Sequence, residues 1–359
     1  MKTDNAYNNR LLQEIRSFAK PAALMEVCGT HTMAIARAGM RDLLPENIRL
    51  LSGPGCPVCV TSQSDIDRVI QLARNPEVTL LTFGDMMRVP GSETSLQECR
   101  SRGADVRVVY SPLDALQLAR ENPQREMVFL GIGFETTAPT VAHTIVEAQR
   151  LKVNNFSVLS LHKIVPPALE VIFSDAQMQL DGLICPGHVS LVIGLGPYDE
   201  LVSKYHKPCV ITGFGDEDIL EGIYMLMRQI ISGQARAEIQ YRRVVKPNGN
   251  PIAQKLMSRV FQPVTARWRG LGAIPGSGLT IRDSYAHFDA CRRFSIPEIE
   301  EKTIKGCACG GILTGKISPA QCALFGKTCT PLNPVGPCMV SQEGACAAHY
   351  RYAPMKGRE

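Results

Sequence analysis

The chain has one tryptophan, Trp268, in 359 residues, and three further features are missing. No uninterrupted apolar run approaches the ~18 residues that a membrane-spanning helix needs, so no membrane contact is expected. The first twenty residues, MKTDNAYNNRLLQEIRSFAK, are polar and carry acids, without the apolar centre of a secretion signal; the expected location is cytoplasmic. Lys and Arg are scattered and the net charge is only +5, which argues against a nucleic-acid partner. The composition, 45% hydrophobic and 20% charged, is ordinary for a globular protein, and the length suits two or three domains.

Against this background thirteen cysteines stand out. A chain this long can bury a core without disulfide staples. In a reducing compartment clustered cysteines bind metal or do thiol chemistry. The isolated Cys99, Cys209 and Cys291 are read as small buried hydrophobes.

From about residue 47 to 232 the chain alternates strand-like and helix-like segments. Short apolar runs (IRLLSG, VTLLTFG, VRVVYS, MVFLGIG, FSVLSLH, DGLICPG, CVITGFG) are separated by helical patterns with Asp or Ser at their starts, suited to N-caps. The alternation predicts an α/β fold with parallel sheets. An echo runs through it: GCPVC precedes LTFGD, and ICPGH precedes TGFGD at a similar offset. It suggests two similar Rossmann-like units facing a cleft, lined by strand-end loops. The expected division is a segment 1–46 packing with the C-terminal domain, α/β units at 47–130 and 131–240, and a Cys-rich iron–sulfur domain at 241–359. Within the last, RGLGAIPGSGLTIRDSY is read as loop.

The tail places cysteines at 307, 309, 322, 329, 338 and 346 among many Gly and Pro. Zinc sites usually arrive as repeated close pairs. Dispersed thiolates separated by turns suit a cubane iron–sulfur cluster with four cysteine ligands. Cys322, Cys329 and Cys338 are the expected ligands, with the fourth from Cys307, Cys309 or Cys346. The spare pair could form a cluster-coupled disulfide.

MEVCGTHTMAIARAGM puts Cys28 and His31 at a helix start, where the dipole would lower the thiol pKa and make Cys28 a ready thiolate. His31 is close enough in sequence to ligate or to move a proton. GPGCPVC holds Cys56 and Cys59, which either close a disulfide or grip one soft metal. A thioredoxin motif would lead directly into a helix and usually carries a tryptophan, so that fold is disfavoured. Glu135 in GFETTAPT, His162 in SLHKIVPP, and Cys185 and His188 in CPGHVS lie in further strand-end loops. Together they describe a polar, thiol-rich cleft.

EVCGTHT, GPGCPVC, GFETTAPT, CPGH and the tail CACG…C…FGKTCTPLNPVGPCMVSQEGAC closely resemble the HypD family of hydrogenase maturation factors, over about residues 24–350. The resemblance implies assembly of the Fe(CN)2CO unit of [NiFe] hydrogenase. Iron would be held between this protein and a HypC-type chaperone, with cyanide from HypE working with HypF, and the hydrogenase large subunit served indirectly. It also implies one [4Fe–4S] cluster, Cys28 as the iron-holding thiol, and Cys56 and Cys59 as a redox pair in electronic reach of the cluster. His31, Glu135 and His188 would share the cleft. The alternatives are a cluster-coupled thiol–disulfide oxidoreductase acting on proteins, in which Cys28 and His31 would be idle, and a purely structural zinc protein.

Overall fold

The computed structural model describes residues 5–175, 177–302 and 304–353. The seven apolar runs are all strands. In chain order the strands are β1 (Ala22–Glu26), β2 (Ile48–Ser52), β3 (Val78–Thr82), β4 (Val106–Val108), β5 (Glu126–Gly131), β6 (Phe156–Ser160), β7 (Gly182–Pro186), β8 (Cys209–Thr212), β9 (Ala237–Ile239), β10 (Phe261–Trp268) and β11 (Gly272–Ile281). Helices begin where short polar side chains can cap them: Ser62 Oγ accepts the Asp65 N–H at 3.1 Å, and Ser111 Oγ accepts that of Leu113 at 3.0 Å.

Two parallel sheets result, with strand orders β2-β1-β7-β8-β9 and β4-β3-β5-β6. They do not divide the chain at residue 131. The four-stranded sheet lies between β2 and β7 in sequence, and the chain returns to complete the first sheet, with β1 pairing β7 through Leu24↔Gly182, Met25↔Leu183 and Glu26↔Ile184. Local periodicity reports element type, not strand partner, so this pairing has no local signal. The echo is not a duplicated unit either. Cys56 follows β2 in the first sheet and Gly84 follows β3 in the second, whereas Cys185 and Gly215 belong to neighbouring strands of the first sheet.

The inner strands of both sheets are buried on both faces, which explains their nearly continuous apolar sequence. Alternate residues serve different cores. Leu80, Val128 and Leu159 share one core with Leu183 and Ile211 of the other sheet and with Ile312, Leu313 and Met339 of the tail. Leu81, Phe129 and Phe156 point away, onto Val141 and Ile145. On the far side Leu24, Ile184 and Val210 pack against Ile219, Ile223 and Leu226.

The flanking segments differ from the sequence expectation. The stretch before residue 47 supplies the internal strand β1, whose Met25 lies against Gly315 of the tail, and a first helix, Asn5–Arg16, that packs on helix Asp216–Ser232; helix Gly29–Arg37 packs against the last helix, Ala345–Tyr352. The segment read as loop forms an antiparallel hairpin, β10–β11, with a three-residue turn at 269–271 and Gly270 and Gly272 at φ +82° and +79°. The Cys-rich tail has only short helices among its described residues, and its apolar side chains join the core between the sheets. It is an extension of that core and not a domain with one of its own.

Candidate metal and thiol site

Because the first sheet is parallel, β2, β1, β7 and β8 end at one edge, and four loops meet there. Val27 and Cys28 follow β1, residues 53–59 follow β2, His188 follows β7, and Gly213 and Phe214 follow β8.

Cys28 is the N-cap of helix Gly29–Arg37. Its N–H donates to Glu26 Oε2 at 3.2 Å, and Thr32 Oγ1 donates to Glu26 Oε1 at 2.6 Å, so the carboxylate of the last β1 residue pins the first helical turn. The GPGCPVC loop lies against it. Gly53 N–H donates to Glu26 O at 2.8 Å, and Gly29 N–H to Gly55 O at 2.9 Å. A Cβ on Gly55 would stand 2.1 Å from Cys28 N, so only glycine allows this approach. Cys56 and Cys59, the next thiols along this loop, are joined in a disulfide with Cα atoms 5.2 Å apart, and both are buried. In this state the two sulfurs are bonded to each other.

Cys28 is not a ready thiolate. Burial pushes its thiol up to about 12; hydrogen bonds from the His31 and Thr30 backbone oppose this, while Glu343 and Glu26 add to it. Desolvation of the charged form outweighs the helix terminus. His31 is fully buried and held neutral, its pKa lowered to about 4 by burial. Its Nε2 lies 2.8 Å from Gly213 O, an acceptor, so Nε2 carries the proton and Nδ1 is the bare nitrogen. Nδ1 is buried without a hydrogen-bond partner. Phe214 lies between His31 and the exposed His188, with ring centroids 4.8 and 4.1 Å away.

Two carboxylates escaped the sequence reading. Glu26 was visible inside the EVCG motif but carried no role. Glu343 had no local signal: it comes from the tail, accepts a hydrogen bond from Thr30 Oγ1 at 2.8 Å, and packs on Gly29, where a Cβ would stand 2.4 Å from the Glu343 Cβ. Its charge also acts on His188.

Other expected members lie elsewhere. Glu135 follows β5 in the second sheet. Its Oε1 accepts the Val165 N–H at 3.0 Å, its Oε2 is buried without a partner, and burial raises its pKa to about 7. Its neighbour Phe134 stacks on Trp268, which pairs with Thr61 just after the disulfide, and the Glu135 charge acts on Tyr198, beside Cys185. His162 follows β6 and is fully buried, with Nδ1 3.1 Å from Ser160 Oγ. Cys185 is buried inside the first sheet, beside Cys209.

Behind the disulfide, helix Pro57–Val60 packs on helix Pro337–Val340. There one cavity is lined by all six tail cysteines, Cys307, Cys309, Cys322, Cys329, Cys338 and Cys346. Cys309 Sγ and Cys338 Sγ are 2.6 Å apart. A Cβ on Gly336 would stand 2.7 Å from Cys307 Sγ. Burial raises the Cys346 thiol, and the crowding of Cys309, Cys329, Cys307 and Cys322 raises it further.

The family model described as HypD, hydrogenase formation hypA family, matches residues 6–353. The chain belongs to the HypD family of hydrogenase maturation factors. The hydrogenase maturation factor HypD of Rhodobacter capsulatus is 47% identical over 98% of this chain and 94% of its own length. That of Azotobacter vinelandii is 48% identical over 97% and 95%, and that of Escherichia coli K12 is 46% identical over 93% and 90%. In this HypD chain no described helix is long and apolar enough to cross a membrane.

Proposed function

We propose that this maturation factor is a scaffold on which an iron carrying cyanide and carbon monoxide is assembled, with Cys28 as its protein anchor. The iron is cargo. A HypC-type chaperone would supply the remaining ligands from the exposed side, where His188 lies, and a HypE-type donor loaded by HypF would bring cyanide. Delivery to the hydrogenase large subunit would follow through the chaperone.

The observation that supports this reading is the backbone contact of Gly55 on Cys28, by which the loop of the Cys56–Cys59 disulfide lies against the proposed anchor residue. A protonated Cys28 suits cargo handling, since an arriving metal displaces the proton and the thiol is inert until then. The Glu343 carboxylate, whose charge acts on Cys28, would be an acceptor for that proton. The stand-alone oxidoreductase reading leaves Cys28, His31 and Glu343 without work.

The donor set of the cavity fits a [4Fe–4S] cluster. Six thiols crowd one space, and like-charged thiolates there would repel unless a cationic centre neutralised them. Cys322, Cys329 and Cys338 would hold it, with the fourth ligand from Cys307, Cys309 or Cys346. The cluster would supply electrons one at a time. Opening Cys56–Cys59 takes two electrons and two protons, and leaves two thiols beside Cys28.

The test is anaerobic purification with the chaperone, read by infrared spectroscopy. Wild type is expected to show cyanide and carbon monoxide bands, and Cys28→Ala to keep its brown colour and lose them. Bands of wild-type strength in Cys28→Ala would overturn the proposal.

A further inference from the structure

The hairpin β10–β11 has no part in the reading above, yet its tip touches both redox elements. We infer that Arg269, in the turn of that hairpin, is a positioning residue that clamps the segment after the Cys56–Cys59 disulfide against the six-cysteine cavity and gives the cavity a fixed positive charge. The inference rests on the cluster reading.

The geometry begins with the backbone. Arg269 N–H donates to Val60 O at 2.8 Å, and Nε donates to Thr61 O at 3.1 Å. Nη1 and Nη2 both lie 3.4 Å from Gln63 Oε1. One residue thus binds three of the four residues that follow Cys59. On its other side the turn meets helix Cys309–Leu313, which starts at one of the cavity cysteines. Gly270 packs on Gly310, the residue after Cys309, so closely that a Cβ on Gly270 would stand 2.5 Å from Gly310 Cα. No larger residue could hold this contact or the positive φ of Gly270.

The tip is rigidly mounted. Trp268 is buried, its Nε1 donates to Ser277 Oγ at 2.8 Å, and Phe134 stacks on it with centroids 5.9 Å apart. An opposite charge faces Arg269 across the clamped segment. The Glu301 carboxylate accepts Gln63 N–H at 2.9 Å, Ser64 N–H at 3.2 Å and Ser64 Oγ at 2.6 Å. The guanidinium is thereby fixed at a turn whose next residue, Gly270, packs on Gly310 beside Cys309.

Two consequences follow from these contacts. A four-thiolate cluster gains negative charge when reduced, so a fixed guanidinium beside it favours the reduced form. The planar fork also sets the register of the disulfide segment. Lysine cannot reproduce that, because its single ammonium lacks the rigid donor array.

The experiment is an anaerobic redox titration of the cluster in wild type, Arg269→Lys and Arg269→Met, with iron and sulfide counted in each. Arg269→Met is expected to keep its cluster and to show about a tenfold lower ratio of reduced to oxidised cluster at fixed potential, ~59 mV for one electron. Arg269→Lys is expected to stay near wild type in potential, yet to reduce Cys56–Cys59 more slowly, as measured by alkylation and mass spectrometry. Should Arg269→Met fail to fold, Glu301→Gln is read instead, with a shift of opposite sign expected. An unmoved potential in Arg269→Met, or in Glu301→Gln in its place, overturns this inference alone. A wild-type protein that binds no cluster overturns the cluster reading and this inference together.

Discussion

The two parallel sheets are built alike and equipped differently. At the five-stranded sheet, neighbouring strands end in Cys28, the Cys56–Cys59 disulfide, His188 and Phe214. At the four-stranded sheet, the corresponding loops carry Glu135, His162 and the exposed Tyr110, and no cysteine. Strand ends of a parallel sheet form a crevice whatever the sequence. Chemistry depends on what reaches that crevice from elsewhere. The first sheet receives the Cys-rich tail, through helix Ala345–Tyr352 on helix Gly29–Arg37 and Glu343 on Gly29. The second sheet receives the β10–β11 hairpin, where Lys163 pairs with Gly278.

The comparison is broken most severely at the tail. Cys322→Ser is expected to lose the cluster and loosen the segment from 315 to 335, in which Cys322 and Cys329 alone are buried. Iron and sulfide content and limited proteolysis check this; a fully loaded variant would contradict the ligand set. A smaller effect is expected from Gly55→Ala. The added Cβ must push the disulfide loop off Cys28, costing about 1–3 kcal/mol of stability by overpacking and cutting iron loading; denaturant unfolding and iron analysis measure both.

The third prediction reads one carboxyl of the second sheet by pH. Glu135 titrates at about 7 in the folded protein against an ordinary 4.5. A raised carboxyl pKa means that the folded state holds the proton more tightly. Its stabilising contribution is complete below about pH 4.5 and is lost as pH rises through 7. Wild type should therefore lose stability relative to Glu135→Gln over that window, by on the order of 3 kcal/mol in total. Parallel melting curves for the two proteins would refute this. The smallest structural effect is expected at the exposed His188. His188→Ala should change stability by less than ~0.5 kcal/mol while weakening iron retention in the chaperone complex; unchanged retention would remove His188 from the site.

Much of this was readable from the residues. Seven strands stood out as short apolar runs, and the thiol motifs lay at their ends. Strand β1 was missed because AALME merges into the following motif without a turn signal, and the hairpin because its Gly and Pro content imitates a loop. Sheet membership was hidden for a physical reason. Pairing of β1 with β7 depends on contacts between distant parts of the chain. The charge state of Cys28 was misjudged for a related reason: the helix terminus is a local feature, but the desolvation that overrides it comes from tertiary burial. Glu343 was invisible because its partners, Thr30 and Gly29, lie at the other end of the chain.

The central claim is that cargo iron sits at the thiol edge of the five-stranded sheet, separate from the cluster. The direct measurement is Mössbauer spectroscopy of the iron-57-labelled chaperone complex in wild type, Cys28→Ser and His162→Gln. The account predicts a low-spin iron beside the cluster signal in wild type and His162→Gln, and the cluster signal alone in Cys28→Ser. A low-spin iron that persists in Cys28→Ser and disappears in His162→Gln would contradict it.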